Sequence, residues 1–251
     1  MGYLDQVRNL EAIKECIEQS ISLLNLKPGY NVLDVGCGTG EDVISMGEIV
    51  GAEGRATGID ISQTMISEAQ KRVAEQHLTN VEFAVKNAES LDLADESFEG
   101  CRADRVLQHL KDPDKAMGEI IRVAKKEGRI VVVDTDWDSI IVDSAFKDLT
   151  RRVIHAGTDG ITNGWRGRQS YGMFKALALE NVEVRPFTGV LTDYALASHI
   201  LNLDSDANLA EGTGLIKAKE KTRWISDLQK KQALGRFFAS VTVFLVAATK
   251  R

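Results

Sequence analysis

Apolar residues recur at spacings of three and four from Leu4 through Val7, Leu10, Ile13, Ile17 and Ile21 to Leu24. That spacing predicts an amphipathic helix over residues 3–25, closed by Lys27-Pro28-Gly29. The pattern then switches. Asn31–Val35 is a near-continuous apolar run, as expected of a strand buried on both faces. A helix is predicted over 41–50, stopping near Gly51 and Gly54, followed by a strand at Arg55–Ile59 that ends at Asp60. Ser62 suits the N-cap of a helix over 63–77, and Val81–Val85 reads as a third strand. Phe98–Val106 is a weaker fourth. Asp112 and Pro113 suit the start of a helix running to about Lys126, and Gly128 precedes a fifth strand, Arg129–Asp134. Short apolar strands alternating with helices of ten to fifteen residues predict an α/β fold, a doubly wound sheet covered on both faces.

Beyond residue 140 the rhythm changes. Helices are expected at 144–156 and 168–179, and strands at Val182–Val190 and Phe237–Ala248, with about forty helical residues between them. No repeat or linker interrupts the chain, so 1–251 reads as one domain. It divides into a helical lid (1–27), a first half (28–135) and a second half (136–251) with a helical insertion at about 195–235. A formal net charge of −6 argues against a broad nucleic-acid-binding surface. No window approaches ~18 uninterrupted apolar residues, so no transmembrane helix is expected. Asp5, Glu11, Glu15 and Glu18 break up the start of the chain, which is unlike a signal peptide. Cys16, Cys37 and Cys101 are too scattered for a disulfide frame or zinc site, so a reduced, cytoplasmic setting is expected.

The stretch VLDVGCGTGEDV (32–43) carries the chemistry. Glycine stands at 36, 38 and 40 directly after a strand, with Asp34 before it and Glu41 and Asp42 after it. A P-loop would end in Gly-Lys-Ser/Thr, and the lysine is missing. A dinucleotide fingerprint has G-x-G-x-x-G, whereas the spacing here is G-x-G-x-G, and three acids would repel a pyrophosphate. S-adenosylmethionine, a nucleoside with cationic amino and sulfonium groups and no phosphate, suits the loop. Glycines admit its methionine and ribose portions without a Cβ in the way. Asp60, twenty residues past Gly40 in ATGIDIS, can accept hydrogen bonds from both ribose hydroxyls.

On these residues the chain resembles the class I, Rossmann-like S-adenosylmethionine-dependent methyltransferases, and within them the type-11, ubiquinone/menaquinone-methyltransferase-like branch. The resemblance covers about residues 28–135. It implies a seven-stranded, mostly parallel sheet with the last strand antiparallel. It implies that Asp34 and the loop (Gly36, Cys37, Gly38, Gly40) surround the methionine part, that Asp60 holds the ribose, and that Ile61 packs on the adenine with Met65 close by. Asn87-Ala88 would meet the adenine edge, although the family more often has an acid-Ala pair there. A backbone carbonyl near Ala103 would take the ligand's amino group, in a segment (ADRVLQHLKDP, 103–113) that matches the family.

The acceptor side is less determined, because a fold does not set a substrate. The Asn/Asp-Pro-Pro-aromatic motif of nucleic-acid amino methyltransferases is absent, and so are the paired glutamates of protein-arginine methyltransferases. A small-molecule acceptor is left, in quinone-type or secondary metabolism, methylated at O, N or C. Asp104 and His109 stand at the carboxyl edge of the sheet, and His109 is the candidate general base. In DTDWDS (134–139), Trp137 can cover a flat acceptor and Asp136 or Asp138 can hydrogen-bond it. Three acids also suggest Mg²⁺, but no partner set appears and no metal is assigned. Trp165-Arg166-Gly167-Arg168 resembles the family's Trp-x-Gly-Arg segment, and Arg168 can bind an acidic group or form a structural ion pair. Tyr3 and the insertion with Trp224 are expected lids. An NAD(P)-dependent oxidoreductase and a non-catalytic cofactor-binding partner or sensor are the competing functions, and a homodimer is left open.

Overall fold

The computed structural model describes residues 11–251, with the side chains from 13 onward. Helix α1 (Glu11–Ser22) precedes β1 (Asn31–Val35), α2 (Glu41–Val50), β2 (Arg55–Asp60), α3 (Gln63–Glu75), β3 (Val81–Val85) and β4 (Phe98–Asp104). A short 3₁₀ turn at Leu107–His109 leads to α4 (Pro113–Val123) and β5 (Ala124–Val142). Next come α5 (Lys147–Thr158), α6 (Arg166–Ala176), β6 (Glu180–Leu191), α7 (Tyr194–Leu201), α8 (Leu203–Gly212), α9 (Ala218–Ala233) and β7 (Ala239–Thr249). The strands form one seven-stranded sheet in the order β3-β2-β1-β4-β5-β7-β6. β1 to β5 run parallel, and β7 is antiparallel to both β5 and β6.

Alternation along the central strands explains their unbroken apolar runs. Val32, Val131 and Val133 face the layer of α1, α2 and α3, while Leu33, Ile130 and Val132 face the layer of α4 and α6. Each such side chain contributes roughly 1.5–3 kcal/mol when buried, so a strand wet on either face would be unstable here. The helix starts follow their cap residues. Ser62 Oγ accepts from Met65 N at 3.4 Å, and Asp112 Oδ1 accepts from Lys115 N at 2.9 Å with Pro113 in the first turn.

Among the boundaries that differ from the sequence reading, two shape the site. β4 stops at Asp104, because Arg105 takes a positive φ of 57° and the chain turns away. β5 runs eight residues past Asp134, so DTDWDS lies within the strand. Its extension pairs with the start of β7 (Asp136↔Thr242, Ile141↔Ser240) across a bulge. That partner lies about a hundred residues away, so local propensity could not reveal it.

A third apolar cluster sits apart from the sheet's two faces. Leu149, Val153 and Ile154 of α5 pack with Leu203, Ala207, Trp224 and Leu228 of α8 and α9. Trp224, expected on a lid, is fully buried there, and its indole N–H donates to Thr150 Oγ1 at 2.9 Å. The insertion and α5 therefore form a helical cap around a shared apolar interior. No helix among the described residues is long and apolar enough to cross a membrane.

Candidate active site

The glycine loop is held by its backbone. Gly36 N and Cys37 N both donate to Ile59 O, at 2.7 and 2.9 Å, which ties the end of β1 to the end of β2. Gly36, Gly38 and Gly40 have φ of 73°, 54° and 84°, a region costly for any residue with a Cβ. Their surroundings separate their roles. A Cβ on Gly36 would lie 2.4 Å from Val106 Cγ2, and one on Gly40 would lie 2.4 Å from Phe83 Cζ. A Cβ on Gly38 would meet nothing within 4 Å. Gly36 and Gly40 are thus required by packing, while Gly38 faces open space.

Asp60 borders that space. Its Oδ2 accepts from Gly38 N at 3.0 Å and its Oδ1 from Ser62 N at 2.8 Å. Each carboxylate oxygen keeps a second lone pair, enough for a pair of ribose hydroxyls. The next residue, Ile61, is 73% exposed, the largest exposure among the big apolar side chains of the described residues. Met65 is half-buried one turn on. Asn87 is exposed, and its Oδ1 accepts from Glu89 N at 2.9 Å, so its amide N–H₂ stays available; Ala88 is buried beneath it. A glycine facing open space, an anchored carboxylate and an exposed isoleucine fit the methionine, ribose and adenine parts of S-adenosylmethionine.

The acids flanking the loop are placed differently from expectation. Asp34 is 2% exposed and accepts from Arg102 Nη1 at 3.0 Å, so it lies sealed under the loop. Arg102 Nη2 also pairs with Asp42 at 3.0 Å and with Asp104, and its Nε donates to Ser20 Oγ at 2.8 Å. Glu41 pairs with Arg72. One guanidinium therefore serves three carboxylates, with Arg105 Nε adding a bond of 2.8 Å to Asp104. Burial, with Asp42 and Asp104 adding to it, pushes the Asp34 carboxyl up, and the Arg102 guanidinium opposes that shift. The flanking acids do not await a ligand's charge; they are spent on Arg102 and Arg72. Neither arginine stood out in the sequence, although Arg102 interrupts an apolar strand.

The acceptor side is built from the turn after β4 and from β5. Val106, against Gly36, sets the Leu107–His109 turn beside the loop. Asn163 Nδ2 donates to Leu110 O at 2.7 Å, which pins the far end of the turn. Gln108 is 2% exposed and unites the group: its N donates to Asp134 Oδ1 at 3.2 Å, and its Oε1 accepts from Thr135 N and from Trp137 Nε1, each at 3.2 Å. His109 Nε2 lies 2.9 Å from Gln108 Nε2, and partial burial of the ring lowers its pKa. The sequence reading found His109 and Trp137 but missed the glutamine linking them. Asp134 is fully buried, its Oδ2 makes no hydrogen bond, and burial pushes it up to about 8.

Asp136 and Arg168, expected to touch substrate, hold each other. Arg168 Nε and Nη2 reach the two carboxylate oxygens of Asp136 at 2.5 and 2.6 Å, and Trp165 stacks on the guanidinium at 5.0 Å. Gly167 makes this approach feasible, because a Cβ there would lie 2.8 Å from Asp134 O. The structural ion pair is the alternative realised for Arg168. No group of three or more His, Cys, Asp or Glu residues able to hold a metal ion occurs among the described residues. Ala103 is buried in β4 opposite Val35. Tyr3 lies outside the described residues. α1 leaves a narrow cavity of about 40 Å³ bordered by Cys16, Asp104, Arg105, Val133 and Phe187. A wider groove of about 600 Å³ between α1 and α2 contains none of the loop glycines and is not assigned to the cofactor.

A seven-stranded sheet with a single antiparallel strand, a glycine loop after β1 and an acid ending β2 together define a Rossmann-like S-adenosylmethionine-dependent methyltransferase. The model of a methyltransferase domain matches residues 26–165. An uncharacterized 37.1 kDa protein in transposon TN4556 of Streptomyces fradiae is 34% identical over 249 residues, covering 99% of this chain and 70% of that one. A demethylmenaquinone methyltransferase of Alkalihalophilus pseudofirmus is 28% identical over 204 residues, 74% of this chain and 85% of its own. Among solved structures, the YcgJ protein from Bacillus subtilis superposes with a TM-score of 0.67 at 18% identity, covering 95% of this chain and 99% of that one. A geranyl diphosphate methyltransferase in complex with S-adenosylmethionine gives 0.61 at 16% identity, covering 99% and 88%. The chain belongs to this methyltransferase-domain family.

Proposed function

We propose that the protein transfers the methyl group of S-adenosylmethionine to a small-molecule acceptor lying over the Val106–His109 turn and Trp137. The observation that carries this reading is the open side of Gly38 above the Asp60 carboxylate, with the His109 turn alongside. The cofactor supplies an activated methyl group, so the chain's own task is alignment of donor and nucleophile. Gly38 and Asp60 seat the donor, with Ile61, Met65, Asn87 and the Ala103 backbone around it. Val106 fixes the spacing between the loop and the turn. Trp137, half-buried and anchored through Gln108, offers a flat surface. That surface, and the demethylmenaquinone methyltransferase among the relatives, support a quinone-type ring as the acceptor. The three free cysteines accord with action in a reducing cytoplasm.

A thermal-shift titration with S-adenosylhomocysteine and with NAD(P), followed by transfer of labelled methyl to a panel of quinone-type, phenolic and amine metabolites, tests the proposal. Stabilisation by S-adenosylhomocysteine alone and labelling of a ring acceptor are expected. No stabilisation would overturn the cofactor assignment. Stabilisation with no labelling of any acceptor would favour a non-catalytic binding role.

A further inference from the structure

Gln108 makes its contacts with donors of fixed character. The Thr135 backbone N–H and the Trp137 indole N–H cannot accept a hydrogen bond, and both point at one atom of the Gln108 side chain. That atom is therefore the amide oxygen. The amide nitrogen then faces His109, 2.9 Å from its Nε2. An amide nitrogen only donates, so the ring nitrogen facing it must carry the lone pair. A neutral imidazole has one such nitrogen, so the proton sits on Nδ1. The frame is rigid, because Gln108 is buried and its own N–H is anchored on Asp134.

We propose that Gln108 is a positioning residue that holds His109 in the neutral Nδ1–H tautomer, so that His109 meets the methyl acceptor as a hydrogen-bond donor and not as a base. This rests on the methyltransferase reading above and narrows its substrate class. A fixed N–H donor favours an acceptor arriving as an oxyanion, a phenolate or enolate, whose charged form a hydrogen bond stabilises. Such an oxygen needs no base: its lone pair forms the O–CH₃ bond as the S–CH₃ bond breaks, the sulfur keeps that electron pair and leaves as neutral S-adenosylhomocysteine, and no proton is left to remove. An ammonium group offers neither a lone pair for the methyl nor an acceptor for the N–H.

The sequence has four histidines, so ¹⁵N spectra of the labelled protein can be assigned to His109 by comparison with His109→Asn. A protonated Nδ1 and an unprotonated Nε2 are expected near neutral pH without substrate; a protonated Nε2 would overturn the proposal. Gln108→Glu places a carboxylate, an acceptor only, against the ring. It should move a proton onto Nε2, lower kcat by about tenfold or more and leave KM for S-adenosylmethionine unchanged. An unchanged tautomer in that variant would remove Gln108 from the assignment. His109→Asn keeps an N–H donor and should retain turnover within about tenfold, whereas His109→Ala should lose about a hundredfold; equal losses would restore the base. The spectra need no turnover, so a wrong tautomer and a wrong reaction class fail separately.

Discussion

Around β1 the interior is threaded by charge. Arg102, 1% exposed, binds Asp34, Asp42, Asp104 and the hydroxyl of Ser20. Under α5 and α7–α9 the interior is almost wholly apolar, with Trp224 making one hydrogen bond and Asp206 its main buried acid. The two regions are stabilised by opposite means. An apolar interior tolerates exchange if volume is kept. A buried ion cluster tolerates little, because removing one partner strands the others at several kcal/mol. The charged interior lies under the cofactor loop, where fixed geometry matters most.

The sharpest way to break this contrast is Arg102→Met. It leaves three carboxylates without their guanidinium and should cost about 3–5 kcal/mol in urea unfolding. A loss below about 1 kcal/mol would mean that the carboxylates do not depend on it. Arg102→Lys should also lose most of the cluster's stability, since one ammonium cannot span four partners in a fork.

In the cap, Trp224→Ala should cost a similar 3–5 kcal/mol through its cavity. Trp224→Phe should cost only about 1 kcal/mol, for the lost bond to Thr150. Affinity for S-adenosylhomocysteine, measured by calorimetry below the unfolding range, should be unchanged in both. Weakened binding would show that the cap and the cofactor site act as one unit.

The loop glycines sharpen the comparison at shorter range. Gly36→Ala adds a clash with Val106 to the roughly 1–2 kcal/mol cost of a left-handed alanine, so it should destabilise more than Gly38→Ala. Gly38→Ala should instead reduce S-adenosylhomocysteine affinity most, because its methyl enters the open space. A reversed order would move the cofactor off Gly38.

The last effect is a pH slope. Burial pushes Asp206 up to about 7 from an ordinary 3.8. Between those values the folded chain holds a proton that the unfolded chain has released, so stability falls as pH rises through that window. Asp206→Asn removes this contribution, and its urea midpoint should gain on the wild type between about pH 4 and pH 7. A midpoint difference independent of pH would show that Asp206 is ionised throughout.

Much of the charged half is legible in the sequence. Gly36, Gly38, Gly40 and Asp60 sit together because strand, turn and cap chemistry are written in neighbouring residues. The partners of the acids were not legible. Asp34 meets Arg102 across 68 positions and Ser20 meets it across 82, and nothing in either segment announces the other. The pairing of Asp136 with Arg168 and the burial of Trp224 were hidden likewise, since a side chain's direction depends on which distant element covers it.

The sequence by itself determined the alternation of strands and helices, the glycine loop, the ribose-side acid and the family, because hydrophobic period and backbone-permissive residues act over a few positions. Tertiary structure alone decided that β5 continues into a ladder with β7, that the insertion and α5 close around a shared apolar interior, and that the flanking acids are spent on Arg102 and Arg72. It also decided that Gln108 joins His109 to Trp137. Hydrogen bonds and ion pairs need partners within about 3 Å, and only the folded chain brings residues so far apart in sequence to that distance.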